Sequence, residues 1–378
     1  MARQISIKVA ALGLGLGGAN FAQAIKAKFG GTIGFVNLSQ QDLDTANIEN
    51  KEDAILLKGI NAAGVEGSGA GKDRTEGGRY FGSNVDRIGQ LAYKISADAE
   101  ILFVCASTSG GTGSGLIPRT LAYLSTDEYL QPFVESGKKP PIVFAVALTP
   151  DFDEGVKSLT NTLDCLNEFR QMSAGDKKIG RFLIITNEFG KNESTTAAKY
   201  TRINEGAIAY LARYFEQFGS SREGVLDRAD RFATLRTPGI HSFFSFDRNG
   251  RHETPFIQPE GARVMAAAAE IPEGELLESH IERWGLAIDD AIKGFFSPDE
   301  SKMGSIVHLA GFNNWGKLTE RFKNQLDLKK SRAADTQSTN KTQGIGLRDI
   351  AAQKEFVKKE YTAGTIGSID DIDALFKD

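Results

Sequence analysis

Cysteine is nearly missing from this chain: Cys105 and Cys165 are the only two in 378 residues. Neither belongs to a paired or metal-binding spacing, which argues against a disulfide and leaves Cys105, at the end of an apolar run, as a small core residue. Histidine is equally sparse. His241, His252, His280 and His308 are scattered without ligand spacing, so no histidine metal site is expected. No apolar run is long enough to cross a bilayer, and no membrane association is expected. The formal charge of −4 gives no electrostatic footprint for direct nucleic acid binding. The start, MARQISIKVAALGLGLGG, is basic, but glycines interrupt any signal-peptide core, so a cytoplasmic protein is expected. Also absent is G-x-x-x-x-G-K-[ST], which sets aside the P-loop nucleotidases.

Glycine, by contrast, is abundant at 41 residues, and it is clustered. The stretch CASTSGGTGSGLIPRTLAYL, Cys105 to Leu124, places Ser109 to Gly115 between the apolar run ILFVC and a segment with helical spacing. An apolar run of β-preferring residues is what a strand buried on both faces looks like. The glycines therefore sit between a strand's carboxyl end and a helix amino terminus. Unpaired N–H groups and the positive end of the helix dipole meet there, and the absence of side chains lets a phosphate approach the backbone.

The amino-terminal half alternates strand-like and helix-like runs: ISIKVAALG, ANFAQAIKAKF, TIGFVNL, SNVDRIGQLAYKIS, ILFVCAS, PPIVFAVALT, SLTNTLDCLNEFRQM and RFLIITN. Such alternation predicts an α/β fold with a mainly parallel, Rossmann-like sheet over residues 1–194, its ligands beyond the strands' carboxyl ends. A long helical pattern over 195–219 follows. Residues 220–328 read as a smaller α/β domain, with strands IHSFFSF and SIVHLAGF flanking a helical ELLESHIERWGLAIDDAIKGFF. From Lys329 the chain is polar and poor in large apolar residues, so 329–378 reads as a flexible linker and tail.

Gly13, Gly15 and Gly18 satisfy G-x-G-x-x-G after a strand and before a helix, which suggests a dinucleotide site and an NAD(P)-dependent oxidoreductase. That reading needs an acid at the end of the next strand, where this chain has Asn37. A further glycine loop, EGSGAGKDR, spans Glu66 to Arg74 and carries Lys72, either a terminal-phosphate contact or an ordinary solvated lysine. Loops at Gly13, Glu66 and Ser109 together imply a polyphosphate held by many backbone amides. Asp227 and Asp230 are spaced i and i+3. In a helical turn they share one face, where two carboxylates can polarise a water; equally, acids favour a helix amino terminus.

In combination these segments resemble the tubulin and FtsZ superfamily of polymerising GTPases. Ser109 to Gly115 is similar to the signature loop, GLGLGGAN to the first loop, VNLSQQDL to the second and GSGAGKD to the third. ALTPDFDEG resembles the fifth, ITNE the sixth and YTRINEGAI the central helix, in correct order over residues 5 to 240. NLSQQDL and the short acidic tail look closest to the phage- and plasmid-encoded tubulins, TubZ and PhuZ.

The resemblance implies a GTP-binding domain, a central helix and an activation domain, with GTP or GDP and Mg²⁺ as ligands. It assigns Gly110, Gly111, Thr112, Gly113 and Ser114 to the α- and β-phosphates, with Gly15, Gly17 and Gly18 opposite. Ala70, Gly71 and Lys72 would meet the γ-phosphate; Asn20, Asn187 and Asn204 the base; Glu154 the ribose. Where the family places an arginine four residues after that glutamate, this chain has Ser158. Asp227 and Asp230 would act on the neighbouring copy's nucleotide, with Val225 in place of the family's asparagine. The implied partner is the chain itself, in a head-to-tail polymer that positions plasmid or phage cargo. Val225 also leaves room for a nucleotide-stabilised filament with negligible hydrolysis. The tail, Ser368 to Asp378, interleaves acids with Ile369, Ile372, Leu375 and Phe376, a pattern suited to an adaptor or another subunit.

Overall fold

The apolar runs of the amino-terminal half pair side by side as expected. A computed structural model describes residues 7–342, apart from 47, 49, 59–68, 175–179, 216–225, 248–249, 273–275, 277–278, 280, 283–284 and 297–304. Strands β1 (Val9–Leu14), β2 (Thr32–Asn37), β3 (Ala54–Leu56), β4 (Ile101–Ser107), β5 (Ile142–Thr149) and β6 (Arg181–Thr186) are parallel neighbours in the order β3-β2-β1-β4-β5-β6. Between them run helices α1 (Gly15–Phe29), α2 (Gln40–Thr45), α3 (Arg74–Gly82), α4 (Val85–Ser96), α5 (Thr112–Tyr123), α6 (Asp127–Glu135) and α7 (Val156–Ala174).

Strand order decides where a ligand can sit. From β1 the chain winds outward to β2 and β3, and from β4 it winds the other way to β5 and β6. The crevice at such a switch point lies outside the carboxyl ends of β1 and β4, whose register pairs Leu14 with Ala106. Both glycine loops leave the sheet there.

Residues alternate between the two faces of each strand, and each face builds its own core. Ala10, Leu12 and Leu14 join Leu102, Val104 and Ala106 on one side; Val9 and Ala11 join Ile101, Phe103 and Cys105 on the other. Cys105 and Cys165 are free, buried core residues.

Beyond β6, helices α8 (Thr196–Phe215) and α9 (Arg228–Arg236) lead to β7 (Gly239–Asp247), β8 (Gly250–Arg251), β9 (Arg263–Pro272), β10 (Ala287–Phe296), β11 (Ser305–Phe312) and α10 (Trp315–Thr342). The described strands of residues 220–328 continue the same sheet. Strand β7 pairs in parallel with β6 through Arg181↔Gly239, Phe182↔Ile240 and Leu183↔His241, and the order continues β7-β11-β9-β10. Phe182, Ile240, Phe244 and Val264 accordingly share a core with Leu12 and Val104.

Two local expectations also change. Ala287–Phe296, taken as helical, is strand β10, parallel to β9. Ile288 and Ile292 are four apart, a spacing that fits one face of a helix and, as a multiple of two, one face of a strand alike. Residues 329–342, taken as the start of a linker, continue α10. Lys, Arg, Ala and Gln extend a helix without needing apolar partners. The tail from Ser368 to Asp378 and Val225 lie outside the described residues.

At the junction of β7 and β11, His241 and His308 are both fully buried and stacked, with ring centroids 5.1 Å apart. The Thr237 carbonyl lies 2.7 Å from His241 Nε2, which must therefore donate; Nδ1 then accepts from His308 Nε2 at 2.9 Å. Burial holds His241 down at about 3 and His308 well below its ordinary value. The unfolded chain thus binds more protons than the folded one as pH falls below 6.5, so this contribution to stability shrinks from there towards pH 3. His241 alone is expected to cost about 2 kcal/mol at about pH 5 relative to about pH 7.5, read as a lower urea midpoint. A His241→Gln, His308→Leu pair should flatten that slope.

Candidate nucleotide site

A cavity of about 540 Å³ opens at the carboxyl ends of β1, β2, β4, β5 and β6. Its floor is backbone. Leu14 to Gly17 line one wall as α1 begins, and Ser109 to Gly113 line the other as α5 begins. The first-turn N–H groups of a helix have no intrahelical acceptors, so the start of α5 presents donors and a positive dipole end to the cavity.

The third loop closes over this floor from Gly69 to Lys72. Gly111 makes the closure possible: a Cβ there would stand 2.6 Å from Ala70 Cβ and 2.7 Å from the Asp73 nitrogen. Lys72 lines the cavity with a left-handed backbone, φ 60°, and its Nζ donates to Ser158 Oγ at 3.1 Å. Ser158, which stands where the resemblance called for an arginine, therefore seats the lysine.

At the far end stand Asn20, Asn187, Tyr200 and Asn204. Tyr200 and Asn204 are four apart on α8 and so share one face, offering an aromatic ring and an amide together. An ion pair between Lys199 and Asp151 fastens the start of α8 to the loop after β5. Asp151 Oδ1 also accepts from the backbone nitrogens of Asp153 (3.0 Å) and Glu154 (3.1 Å).

Most residues expected from the sequence meet in this one space: Gly15, Gly17, Asn20, Ala70, Gly71, Lys72, Gly110, Gly111, Thr112, Gly113, Asn187 and Asn204. Gly18 does not. A Cβ there would lie 2.0 Å from the Cys105 carbonyl oxygen, so its role is the close packing of α1 on β4. Ser114 is also behind the wall, its hydroxyl bonded back to the Gly110 carbonyl and its own carbonyl accepting from Arg74 Nη2 at 3.1 Å. Burial alone would lower the Arg74 pKa; the charge and hydrogen bonds of Glu168 outweigh it and raise the guanidinium above its usual value. Glu154 lies half-buried in the loop after β5, outside the lining.

Asp227 and Asp230 are also away from the cavity. They form a reciprocal cap at the start of α9: Asp227 Oδ1 accepts from the Asp230 nitrogen at 2.9 Å, and Asp230 Oδ2 from the Asp227 nitrogen at 3.3 Å. The structure thus shows the helix-start reading of the pair, with both acids at the tip of α9.

Ser107, Leu148 and Tyr200 line the cavity without having been foreseen, and Ser39, Gln41, Asp42 and Ser109 lie in the expected second and glycine loops but had been given no individual role. The spacing of Tyr200 to Asn204 was the available signal for the tyrosine. Asn37, which the dinucleotide reading needed as an acid, instead pins its own loop. Its Oδ1 accepts from the nitrogens of Leu38 (2.8 Å) and Ser39 (3.2 Å), and Nδ2 donates to Asp42 Oδ2 at 3.3 Å.

A parallel sheet with glycine loops converging at its switch point defines a phosphate-cradling α/β protein. Residues 11–175 match the family model described as Tubulin/FtsZ family, GTPase domain. Tubulin-like protein CetZ2 of Haloferax volcanii is 27% identical over 248 residues, covering 62% of this chain and 62% of that protein. The match thus spans less than two thirds of that relative's length. The crystal structure of Clostridium botulinum phage c-st TubZ superposes with a TM-score of 0.66 at 17% identity, covering 86% of this chain and 98% of that one. A GTPγS-bound protofilament of Haloferax volcanii CetZ2 gives 0.58 at 19% identity, covering 86% and 100%. Among the described residues no helix is long and apolar enough to cross a membrane.

Proposed function

We propose that this chain binds GTP in the cavity, polymerises head to tail, and hydrolyses the nucleotide between successive copies. The observation that carries the reading is the convergence of the first, third and glycine loops on one space whose far end holds an aromatic ring and amide side chains. Gly110 to Gly113 would hold the α- and β-phosphates through backbone N–H groups, with Gly15 and Gly17 opposite. Ala70, Gly71 and Lys72 would meet the γ-phosphate. Tyr200 would stack on the base while Asn20, Asn187 and Asn204 read its edge, since an amide offers both donor and acceptor to guanine.

Magnesium fits the donor set. Asp42 is the one carboxylate in the lining, and no group of three acids, histidines or cysteines stands ready to cage an ion among the described residues. Mg²⁺ favours that situation, taking one carboxylate, substrate phosphate oxygens and retained waters. When bound, it would neutralise phosphate charge.

The catalytic acids are assigned to the next copy. Asp227 and Asp230 would polarise the attacking water there and accept its proton, so only a longitudinal contact would complete the site. A repeated contact of this heterologous kind that does not close on itself generates a filament. That Haloferax volcanii CetZ2 forms a GTPγS-bound protofilament supports the filament part of this reading. On the likeness of the second loop and acidic tail to phage- and plasmid-encoded tubulins, the cargo is a plasmid or a phage particle, reached through an adaptor on the tail.

Light scattering and phosphate release after adding GTP and Mg²⁺ test this together. Both signals should rise above a threshold protein concentration, with GDP giving neither. Scattering without release would favour a nucleotide-stabilised filament, and absence of both assembly and nucleotide retention would overturn the reading.

A further inference from the structure

The loops that face the phosphates are clasped from behind by α7. Asn161, near the start of that helix, is 5% exposed. Its side-chain amide donates to the carbonyl oxygens of Lys72 (2.9 Å), Ser109 (3.1 Å) and Gly110 (3.3 Å). Since every one of these neighbours is a carbonyl, the amide nitrogen and not its oxygen must face them. Lys72 belongs to the third loop, Ser109 and Gly110 to the glycine loop, so one side chain joins the two.

Neighbouring side chains on α7 grip the third loop again. Lys157 Nζ donates to the Gly71 carbonyl at 3.0 Å, and Ser158 Oγ receives the Lys72 ammonium. The loop needs such holding, because Lys72 has a left-handed backbone that a lysine adopts only at a cost. A conformation of that kind persists where its surroundings over-determine it.

We infer that Asn161 is a positioning residue that sets this chain's preference for a nucleoside triphosphate over a diphosphate. The inference rests on the reading of the cavity as a GTP site. A diphosphate engages the glycine loop; a terminal phosphate must also engage Gly71 and Lys72. With the third loop already tied to the glycine loop, the triphosphate binds without first ordering it, and that ordering cost is what pre-organisation removes. Losing the clasp penalises the triphosphate selectively.

The test is equilibrium binding of GTPγS and GDP to the full chain, held below the concentration at which it assembles. Wild type is expected to prefer GTPγS. Asn161→Ala should lower the ratio of GTPγS to GDP affinity by roughly tenfold, with GDP affinity itself changed by less than about threefold. Lys157→Ala removes an exposed side chain whose hydrogen bond goes to the third loop. It should lower the same ratio by roughly threefold at an unchanged melting temperature, which keeps the test open if Asn161→Ala does not fold. Asn161→Asp keeps the shape but cannot donate to the carbonyls, and should lower the ratio at least as far as alanine. Equal loss of both nucleotides in Asn161→Ala, or an unchanged ratio in Lys157→Ala and the Asn161 variants, overturns the inference while the GTP reading stands. A wild type that retains neither nucleotide overturns the GTP reading and this inference with it.

Discussion

Asp230→Asn is expected to fold, bind GTP and assemble as wild type does, while phosphate release in the filament falls by roughly 10²- to 10⁴-fold, the usual contribution of a general base. Asparagine matters here because the carboxylates have a structural use. Each caps the other's backbone nitrogen at the start of α9, at 2.9 and 3.3 Å. Alanine at either position would remove a cap worth about 1 kcal/mol together with the carboxylate, and slow turnover could then reflect a frayed helix. Asparagine keeps an oxygen acceptor in the same place and is a good capping residue in its own right, but lacks the basicity to take a proton from water. Asp227→Asn should behave alike. Long-lived filaments with a wild-type melting temperature and little phosphate release would fit catalysis in trans. Full turnover by both variants would reduce the acids to helix caps.

What was legible in the sequence depended on whether one residue type served one purpose. Strands β1, β4 and β5 are continuous apolar runs because helices cover both faces, and the ends of β1 and β4 were marked by glycine, so the cavity's floor could be placed from sequence alone. Strand β9 could not. RVMAAAAEIP is dominated by alanine, a helix former, and it is a strand because it lies buried between β10 and β11. Gly17 and Gly18 are neighbours in one glycine loop, yet the first lines the cavity and the second packs on the Cys105 carbonyl. Pattern cannot separate a glycine that makes room for ligand from one that makes room for a strand. Asn161 carried no signal at all, being a single amide in an amphipathic helix whose acceptors lie 51 to 89 residues away. Residues that touch the ligand space lie in marked loops; residues that hold those loops lie anywhere the fold brings them.

Glu270→Ala should be strongly destabilising, costing about 3–5 kcal/mol, the usual penalty for breaking a buried ion pair from one side. Glu270 on β9 is 2% exposed and lies between Arg213 of α8 and Arg231 of α9, themselves 5% and 9% exposed. Its Oε2 lies 3.5 Å from Arg213 Nη1, and Oε1 meets Arg231 Nη2. Removing the carboxylate leaves two buried guanidinium groups without it. Arg231 also reaches the Tyr214 and Leu226 carbonyls, so some of its hydrogen bonding survives. Replacing all three with Met, Leu and Met is expected to recover most of the loss, because the desolvation cost of three buried charges disappears with them. Urea unfolding of the GDP-bound monomer measures both, and a triple variant no more stable than Glu270→Ala would show that the charges contribute more than they cost. The comparison also bears on function. Helix α8 carries Tyr200 and Asn204, α9 carries Asp227 and Asp230, and Glu270 is bonded to both helices. A triple variant that is stable, binds GTP and assembles, yet hydrolyses slowly, would show that the charged contact orients the acids for the next subunit rather than merely holding the fold.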